Sequence, residues 1–462
     1  MKKITKLKKT NTIKDSLKLL KGQFGMIICI VEKNDILIGV VTDGDLRRAI
    51  LDGNSLDTKI EKIMNKSPIY IFENELKNKK IIKSNLNLGT MMDRPLIIPV
   101  LNKKGKLLYL LKTEDLFEIL QKKNKKKYLS QIKKPHILVV GGAGYIGSVL
   151  TSLLLKKGWR VKIVDKLLYE KKSLDQFKNN KNLSLINKDI CDLSVQIEAI
   201  KDIDCVVFLA EIVGDPSCAA KPEDALKTNY LAVSSLANLC SYMSINRFVY
   251  TSSCSVYGAN NLTDGFLDEE SPLNPVSHYA RIKLMSEKIL LSQSNYFFSP
   301  TILRLATVCG TSFRNRFDLV VNTFARNAFF SGKITINGGS QWRPNIHVED
   351  VAKGIIKVIE APIAKVENQV FNLCNDSQNF VINDLGNKVK SIFPKCKIIK
   401  SNKNFDKRDY KVVSSKIKKI LNFEASKTVE EVLLEFKELF KKKKFNPYKK
   451  KYSNIETLTH EI

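Results

Sequence analysis

Short runs of apolar residues alternate with stretches of helical periodicity through the second half of the chain. The run "HILVV" at 136–140 leads into "SVLTSLLLKKG" at 148–158, and a second run, "RVKIVD", follows at 160–165. Strands that alternate with helices predict a parallel sheet with helices packed on both of its faces. We therefore expect an α/β fold with a doubly wound parallel sheet in this part of the chain.

The first part of the chain contains a repeat. Residues 36–50, "ILIGVVTDGDLRRAI", align without gaps on residues 106–120, "KLLYLLKTEDLFEIL", and each copy reads as an apolar strand followed by an amphipathic helix. Another apolar strand precedes each copy, "GMIICIVE" in the first and "RPLIIPVLN" in the second. Two such repeats bury their apolar faces on one another, so the pattern predicts a tandem α+β pair.

The length of 462 residues suits two or three domains. A lysine-rich stretch at 121–134, "QKKNKKKYLSQIKK", separates the two patterns and is typical of a solvated linker. The predicted organisation is a tandem α+β pair at 1–125, a linker at 126–135, the α/β domain with a small C-terminal substrate-binding subdomain at 136–445, and a C-terminal tail at 446–462.

The formal net charge of +30 raises the question of a nucleic-acid partner. The excess consists almost entirely of lysine, with 65 Lys against 12 Arg, and the lysines are spread along the whole chain. Arginine is the residue that suits base and phosphate recognition, and no RNP, zinc-finger or helix-turn-helix signature is present. We therefore expect lysine-rich solvated faces and no specific nucleic-acid partner.

Three further features narrow the class of protein. No apolar stretch is long enough to span a bilayer. The nine cysteines contain no C-x-x-C pair, so they read as reduced thiols of a cytoplasmic protein. No cluster of metal-ligating residues stands out, and we expect no metal.

A glycine trio follows the strand at 136–140. Gly141 permits a tight turn, Gly144 lets the backbone approach a pyrophosphate, and Gly147 allows the helix to pack closely on the strand. The start of the following helix offers N–H groups and a positive dipole to phosphates. This spacing predicts a Rossmann-type dinucleotide site.

Asp165 ends the next strand at about the spacing expected of an acid that binds the adenosine ribose. A carboxylate there would repel a 2′-phosphate and favours NAD over NADP, although Lys166 moderates the preference. Asp189 is expected to face the adenine, and the strand at 204–210 to form another edge of the cleft. The predicted cofactor contacts are Gly141, Gly144, Tyr145, Ile146, Gly147, Asp165, Asp189, Ile190, Leu209, Ala210, Tyr279 and Lys283.

Candidate catalytic residues lie in "FVYTSSCSVYG" (248–258) and "SHYARIKLMSEKIL" (277–290). The first is a strand that runs into a serine-rich turn at the carboxyl edge of the sheet. In the second, Tyr279 and Lys283 stand four residues apart on one helix face. An ammonium and a cationic nicotinamide would lower the pKa of the Tyr279 phenol and make it a base at neutral pH. Ser253 would hydrogen-bond the same substrate hydroxyl.

With these motifs, residues 136 to about 440 resemble the extended short-chain dehydrogenase/reductases, specifically the NAD-dependent nucleoside-diphosphate-sugar epimerase/dehydratase family, and within it UDP-glucose 4-epimerase. The resemblance implies a catalytic set of Ser253, Tyr279, Lys283 and Asn229, and substrate contacts from Ser253, Ser255, Asn322, Arg343 and Arg408. It also implies a homodimer formed by the helices around 226–242 and 278–292.

The repeat at 1–125 resembles a tandem cystathionine-β-synthase (CBS) domain pair. Its G-h-h-T-x-x-D element is present once, as Gly39, Thr42 and Asp45, which the resemblance assigns to an adenine nucleotide. The second copy keeps Asp115 but has Tyr109 and Lys112 at the other two positions. Two readings stay open: a nucleotide site at Thr42 and Asp45, or a purely architectural pair in which both residues only cap a helix.

The turn Ser253-Cys254-Ser255 lacks the Asp-Glu pair that dehydratases of the family carry. We therefore expect NAD-dependent epimerisation of a nucleoside-diphosphate sugar, at C4 through a keto intermediate, for surface polysaccharide or glycan precursors. The alternatives are a 4-ketoreductase, decarboxylase or dehydratase of the same family, or a non-catalytic adenylate-sensing regulator. Glu211 stands where a small residue is common and Cys309 where a tyrosine is usual, so the sugar stays open.

Overall fold

The computed structural model describes residues 4–20, 27–77, 97–112, 134–169, 172–259, 265–295, 297–401, 408–442 and 446–459. The chain divides into two compact units, Met1–Lys126 and Lys127–Ile462. The division falls beside the predicted linker at 126–135, of which the described residues include only 134 and 135. The helix predicted at the end of the second repeat, with Asp115, lies outside the described residues.

The amino-terminal unit contains two small sheets of three strands each, in the orders β1-β2-β3 and β4-β5-β6. Its elements are β1 (Lys6–Leu7), α1 (Ile13–Leu20), β2 (Ile27–Val31), β3 (Leu37–Thr42), α2 (Asp43–Leu51), β4 (Ile71–Phe72), β5 (Ile97–Leu101) and β6 (Leu107–Lys112). The central strands are almost wholly apolar and buried, as the sequence pattern predicts.

The two sheets have the same topology. In each sheet the first strand runs parallel to the second, and the second runs antiparallel to the third. The register shifts between Ile30 and Val31 in one sheet and between Val100 and Leu101 in the other. These two places correspond in the gap-free alignment of the repeat. The predicted α+β repeat is therefore present in the strands of both copies.

The larger unit is built on a seven-stranded sheet in the order β16-β12-β11-β10-β7-β8-β9, and every pairing in it is parallel. The strands of the whole larger unit, including those outside this sheet, are β7 (His136–Val140), β8 (Arg160–Val164), β9 (Leu183–Ile186), β10 (Cys205–Phe208), β11 (Arg247–Ser253), β12 (Ser299–Leu305), β13 (Thr307–Cys309), β14 (Lys333–Asn337), β15 (Trp342–His347), β16 (Gln369–Leu373), β17 (Asn379–Val381) and β18 (Lys397–Ser401). The strand order reverses between β7 and β10. In an open parallel sheet this reversal opens a crevice at the carboxyl ends of the strands.

Helices cover both faces of this sheet. The helices of the larger unit, in the main sheet's layers and in the smaller subdomain, are α3 (Tyr145–Lys156), α4 (Leu193–Ala199), α5 (Asp215–Ala220), α6 (Pro222–Leu226), α7 (Ala232–Tyr242), α8 (His278–Ser292), α9 (Val320–Phe330), α10 (Val348–Glu360), α11 (Ile363–Val366), α12 (Ile382–Ile392), α13 (Ser415–Leu421), α14 (Val429–Lys442) and α15 (Asn454–Thr459). Alternate residues of β7 enter different cores: Ile137 and Val139 join one cluster, and Leu138 and Val140 join another. The predicted doubly wound α/β fold is confirmed.

A smaller subdomain follows the main sheet. Strands β13, β15 and β17 form one small sheet, and β14 pairs with β18. A third core cluster joins α9, α12 and α14 on the apolar sides of these strands. The predicted C-terminal subdomain is therefore present.

Residues 446–459 differ from the tail that the sequence predicts. The backbone N–H of Phe317 donates to the carbonyl of Tyr452 (2.8 Å), and Leu458 is buried against an apolar cluster of the larger unit. The lysine-rich composition before this segment hides its few apolar anchors, which explains the wrong prediction. Among the residues that the structure describes, no helix has the length and apolar character needed to cross a membrane.

Candidate active site

The glycine loop between β7 and α3 has the geometry of a dinucleotide site. Gly141 has a φ of +85°, and a side chain there would strike the backbone of Ala210. A Cβ at Gly147 would lie 2.1 Å from the carbonyl oxygen of Gly141. The loop therefore admits only glycine at both positions, and it keeps the start of α3 open to a phosphate.

Asp165 lies beside this loop. Its carboxylate accepts hydrogen bonds from the backbone N–H groups of Ala143 (2.9 Å) and Leu167 (2.8 Å). Burial raises the pKa of this carboxyl, and the two N–H groups oppose the rise. The side chain is thus fixed at the edge of the cleft, where a ribose hydroxyl could donate to it.

Two neighbouring cavities, of about 690 Å³ and about 340 Å³, lie at the carboxyl ends of the strands. Both are lined by Gly141, Gly144, Leu209 and Glu211. Each residue that the sequence predicts as a cofactor contact lines at least one of them. Tyr145, Ile146, Gly147, Tyr279 and Lys283 line the larger cavity, and Asp165, Asp189, Ile190 and Ala210 line the smaller one.

Ser253, Tyr279 and Lys283 meet in the larger cavity. Ser253 ends β11, where its side chain accepts a hydrogen bond from the N–H of Ser255 (3.1 Å). Ser277 caps the start of α8 and so sets the position of Tyr279 two residues later. The ammonium of Lys283 lies 5.7 Å from the centre of the Tyr279 ring. The three side chains are thus arranged around one space.

Glu211 adds a carboxylate to this group. It forms a buried ion pair with Lys283 and accepts a hydrogen bond from the phenol of Tyr250 (2.8 Å). Burial, followed by the charge of Glu211, raises the pKa of the Tyr279 phenol well above its ordinary value, and a hydrogen bond from Ser253 lowers it. The chain alone therefore does not produce the lowered pKa that the sequence predicts, because burial raises the pKa of this phenol most and the charge of Glu211 adds to the rise.

Asn229 does not line either cavity. It is fully buried in a π-helical turn, Lys227–Leu231. Its side chain exchanges two hydrogen bonds, each of 2.9 Å, with the backbone of Ile212, and its carbonyl accepts one from Ser286 on α8. Asn229 thus joins the loop that carries Glu211 to the helix that carries Tyr279, and it acts here as a positioning residue rather than a catalytic one.

The predicted substrate contacts divide into two groups. Arg343 and Arg408 line the larger cavity, and Arg408 also pairs with Asp215 (3.2 Å). Ser255 and Asn322 do not line it. Asn322 instead bonds the N–H of Gly310 and the phenol of Tyr145, and Ser255 is buried behind the turn. The Asn322 side chain lies on α9 and is used by these internal hydrogen bonds, whereas the buried Ser255 hydroxyl has no hydrogen-bond partner among the described residues.

His347, Asp350 and Cys254 are buried residues that hold structural elements in place. His347 accepts a hydrogen bond from the N–H of Glu349 (3.0 Å) and caps α10, and Asp350 accepts two from the backbone at 426 and 427. Burial raises the pKa of the Cys254 thiol, which contacts the carbonyl of Arg304. These residues therefore stabilise the elements around the site rather than line its cavities.

Sequence reasoning missed several cavity residues. Arg314 and Arg316 line the larger cavity, and so do Asn454 and Ile455, which belong to the segment predicted as a tail. Leu458 lines the smaller one. The two arginines of "RNRFD" were a visible signal, whereas nothing in the local sequence marks residues 454–458.

In the amino-terminal unit, Thr42 and Asp45 form a complete capping box at the start of α2. The Thr42 hydroxyl accepts from the Asp45 N–H (3.2 Å), and the Asp45 carboxylate accepts from the Thr42 N–H (2.8 Å). The other oxygen of Asp45 pairs with Arg48 (2.6 Å), whose side chain is exposed. The capping role is therefore real, and nucleotide binding stays a prediction.

The parallel sheet, the glycine loop and the group of Ser253, Tyr279 and Lys283 are those of an NAD-dependent enzyme, and comparison with known sequences supports this class. The sequence model of the NAD dependent epimerase/dehydratase family matches residues 137–374, and that of the CBS domain matches residues 1–52. The chain belongs to the NAD-dependent epimerase/dehydratase family, carries a CBS domain at its amino terminus, and uses NAD as its cofactor.

Curated relatives include several reaction types. The chain is 32% identical over 241 residues to an uncharacterized UDP-glucose epimerase, YtcB, of Bacillus subtilis, a match that covers 49% of this chain and 73% of that protein. It is 28% identical to UDP-glucose 4-epimerase of Lactobacillus helveticus, over 51% of this chain and 76% of the relative. It is 25% identical to UDP-glucuronic acid decarboxylase 1 of Danio rerio, over 52% of this chain and 58% of the relative.

Solved structures share the fold. The UDP-glucose 4-epimerase of Thermotoga maritima, determined with UDP-glucose, superposes with a TM-score of 0.60 at 26% identity and covers 66% of this chain and 99% of its own. A UDP-glucuronic acid 4-epimerase from Bacillus cereus, in complex with UDP-glucuronic acid and NAD, gives a TM-score of 0.59 at 24% identity, over 66% of this chain and 99% of its own.

Replacing Asp165 with alanine is expected to weaken NAD binding, because the variant loses a charged acceptor for a ribose hydroxyl. The loss should be about 1.5–3 kcal/mol of binding free energy for NAD. The difference between the affinities for NAD and for NADP should become smaller. Calorimetric titration of both cofactors measures this. Asp192→Ala, which removes an exposed helix cap that lines neither cavity, is the control. Tighter binding of NADP than NAD by the unmodified protein would contradict the assigned role of Asp165.

Proposed function

We propose that this chain is an NAD-dependent epimerase that inverts a carbon of a nucleoside-diphosphate sugar, at C4 through a keto intermediate, and supplies precursors for surface polysaccharide or other glycans. One observation carries the proposal: Ser253, Tyr279 and Lys283 line the same cavity as the glycine loop and as Arg343 and Arg408. A base, a cofactor cleft and two cations suited to a diphosphate are thus joined in one space.

The residues divide the chemistry between them. Bound NAD would supply a hydride acceptor that returns the hydride to the substrate. The Tyr279 oxygen takes the proton of the sugar hydroxyl as the C–H bond breaks, and returns it when the carbonyl is reduced. Ser253 orients that hydroxyl, and Lys283 is expected to bind a ribose of the cofactor. Arg343 and Arg408 hold the diphosphate while the keto-sugar turns over.

The experiment is incubation of the purified protein with UDP-, GDP-, CDP- and dTDP-sugars, with the products identified by NMR. An epimer formed without net production of NADH supports the proposal. A 4-keto-6-deoxy product, loss of CO₂, or net reduction of a keto-sugar would replace it with dehydratase, decarboxylase or ketoreductase activity. The absence of turnover with every sugar, together with adenine nucleotide binding, would favour the non-catalytic regulator.

The CBS unit is proposed to gate this activity by binding an adenine nucleotide at Thr42 and Asp45. Ribose hydroxyls would replace the exposed Arg48 on Asp45, while the Thr42 hydroxyl contacts phosphate. An effector of this kind changes turnover only if its affinity differs between two states of the enzyme. Any effect on turnover should therefore vanish in a variant that no longer binds it.

Asp45→Ala is expected to weaken binding of AMP, ADP or ATP roughly tenfold or more, since a charged acceptor is lost. Calorimetry on the NAD-saturated full chain measures this without interference from the cofactor site. Asp43→Ala, which removes an ion pair with Arg47 on the same turn of helix, is the matched control. If none of the three nucleotides binds the unmodified protein at millimolar concentration, the unit is an assembly module and gating is excluded.

The homodimer implied by the resemblance stays a proposal that light scattering decides. Large apolar side chains at Leu231, Tyr242 and Met285 are exposed on or beside α7 and α8, which supports contact through these helices.

A further inference from the structure

Arg314 is a buried cation at the wall of the larger cavity. Only 2% of its surface is exposed, and it lines the cavity together with Gly144, Tyr145 and Gly147 of the glycine loop. Its guanidinium stacks 4.2 Å from the ring centre of Tyr169, a residue that lines both cavities. A charged group so placed needs a compensating partner.

Among the described residues, the hydrogen-bonding partners of the Arg314 guanidinium are neutral groups. One terminal nitrogen of Arg314 donates to the side-chain oxygen of Asn454 (2.6 Å) and to the carbonyl of Lys451 (3.4 Å). The Nε atom is buried and has no hydrogen-bond partner in the part of the chain that the structure describes. Among the described residues, no carboxylate lies within ion-pair distance of this guanidinium. Burial, and then the charge of Arg316, lowers the pKa of Arg314 to about 10, so the group is still cationic at neutral pH.

The neighbouring charges do not cancel this one. Arg316 makes a two-pronged pair with Asp318 (2.9 and 3.0 Å), which is neutral as a unit. Asp165 is close enough for the charge of Arg314 to lower its pKa, but its oxygens already accept the N–H groups described above. Within the described part of the chain, Arg314 therefore lies beside the glycine loop without a carboxylate in direct contact with it.

We propose that Arg314 binds the diphosphate of NAD, together with the N–H groups at the start of α3. A guanidinium suits phosphate oxygens because its N–H groups form a planar fork, and a helix start attracts the same anion. The diphosphate of the sugar nucleotide is the other source of this chemistry. NAD is favoured because Arg314 lines the cavity together with Gly144 and Gly147 of the glycine loop and its charge acts on Asp165. Arg343 and Arg408 are the residues assigned above to the sugar nucleotide.

The segment at 446–459 holds Arg314 in place. The backbone N–H of Asn454 donates to Asp318 (2.9 Å), while its side chain accepts from Arg314. The segment therefore connects both ends of the loop that carries the cation. Asn454 is a positioning residue for cofactor binding, and this assignment is independent of the proposed epimerisation.

The first experiment compares full-length Arg314→Met with the unmodified protein after removal of bound cofactor. NADH fluorescence gives the affinity for NADH, and competition gives those for ADP and adenosine. We expect NADH and ADP to bind at least tenfold more weakly and adenosine to be unchanged, because adenosine carries no diphosphate. UDP binding, measured by calorimetry, should stay within twofold. Arg326→Met is the matched control, since Arg326 also stacks on a tyrosine (4.7 Å, Tyr448) but lines neither cavity.

A second variant distinguishes a lost contact with the cofactor from a defect in folding. Asn454→Asp places a carboxylate on Arg314, which should raise the melting temperature of the cofactor-free protein and yet weaken NADH binding. A merely structural role would move both quantities in the same direction. Unchanged NADH and ADP affinities in Arg314→Met overturn the proposal, as does a loss of UDP affinity in place of NADH affinity. A gain of NADH affinity in Asn454→Asp overturns it too.

Discussion

Tyr279→Phe is expected to abolish turnover while NAD stays bound. The substitution removes only the phenol oxygen, which is the atom assigned to proton transfer, and general acid–base groups contribute about 10²–10⁴-fold to rates. The glycine loop, Asp165 and the start of α3 are untouched, so the affinity for NAD should change little. Turnover of the sugar nucleotide and calorimetric NAD binding, measured on the same preparation, test both halves of the expectation.

Tyr257→Phe provides the matched control. Tyr257 is also a buried tyrosine near β11, and its phenol bonds Asn372 (2.7 Å) and the carbonyl of Asp268 (2.8 Å), but it lines neither cavity. It should lose some stability and keep its turnover. Near-normal turnover in Tyr279→Phe would contradict the assignment of proton transfer to the Tyr279 phenol. Equal loss of turnover in both variants would indicate a packing effect instead.

The parts of this molecule that could be read from the sequence are those specified by local pattern. The glycine spacing, the strand before it and Asp165 after it all lie within 30 residues, 136–165, and the structure brings them together as predicted. The i, i+4 spacing of Tyr279 and Lys283 fixes a shared helix face regardless of the rest of the fold. The repeat of the amino-terminal unit was visible for the same reason.

The parts that could not be read depend on contacts between distant residues. Asn454 reaches Arg314 across 140 positions, and neither residue has a local signature of a binding role. Asn229 and Asn322 show the converse error, because a matching motif predicts a residue's place in the fold but not the direction of its side chain. Glu211 was noticed only as a departure from the usual small residue. Its pairing with Lys283 requires the three-dimensional arrangement of β10 and α8.

This pair leads to the second large effect, in Glu211→Gln. The side chains of Lys283 and Glu211 are 2% and 3% exposed, so removing the carboxylate leaves a buried ammonium without a counter-charge. Breaking one partner of a buried pair costs about 3–5 kcal/mol of unfolding free energy, and the retained amide should place this variant near the lower end. Denaturant unfolding of the cofactor-free protein measures the loss.

The same substitution should move the pH profile. Burial, and then the charges of Glu211 and Cys218, raise the pKa of the Tyr279 phenol, whereas Ser253 and Arg316 lower it. With Glu211 neutral, its negative charge no longer raises the pKa of Tyr279, so that pKa falls. The acid limb of kcat against pH should therefore shift to lower pH, because the phenolate persists further into acid.

Glu287→Gln separates the loss of stability from the shift of the pH profile. Glu287 is an equally buried carboxylate on α8, but its direct ion-pair partner is Arg304 (2.8 Å) rather than Lys283. Its loss should destabilise the fold to a similar extent and leave the acid limb in place. A shift of equal size in both variants would mean that the limb reports stability rather than Tyr279. An unshifted limb in Glu211→Gln would show that the charge of Glu211 does not control the catalytic phenol.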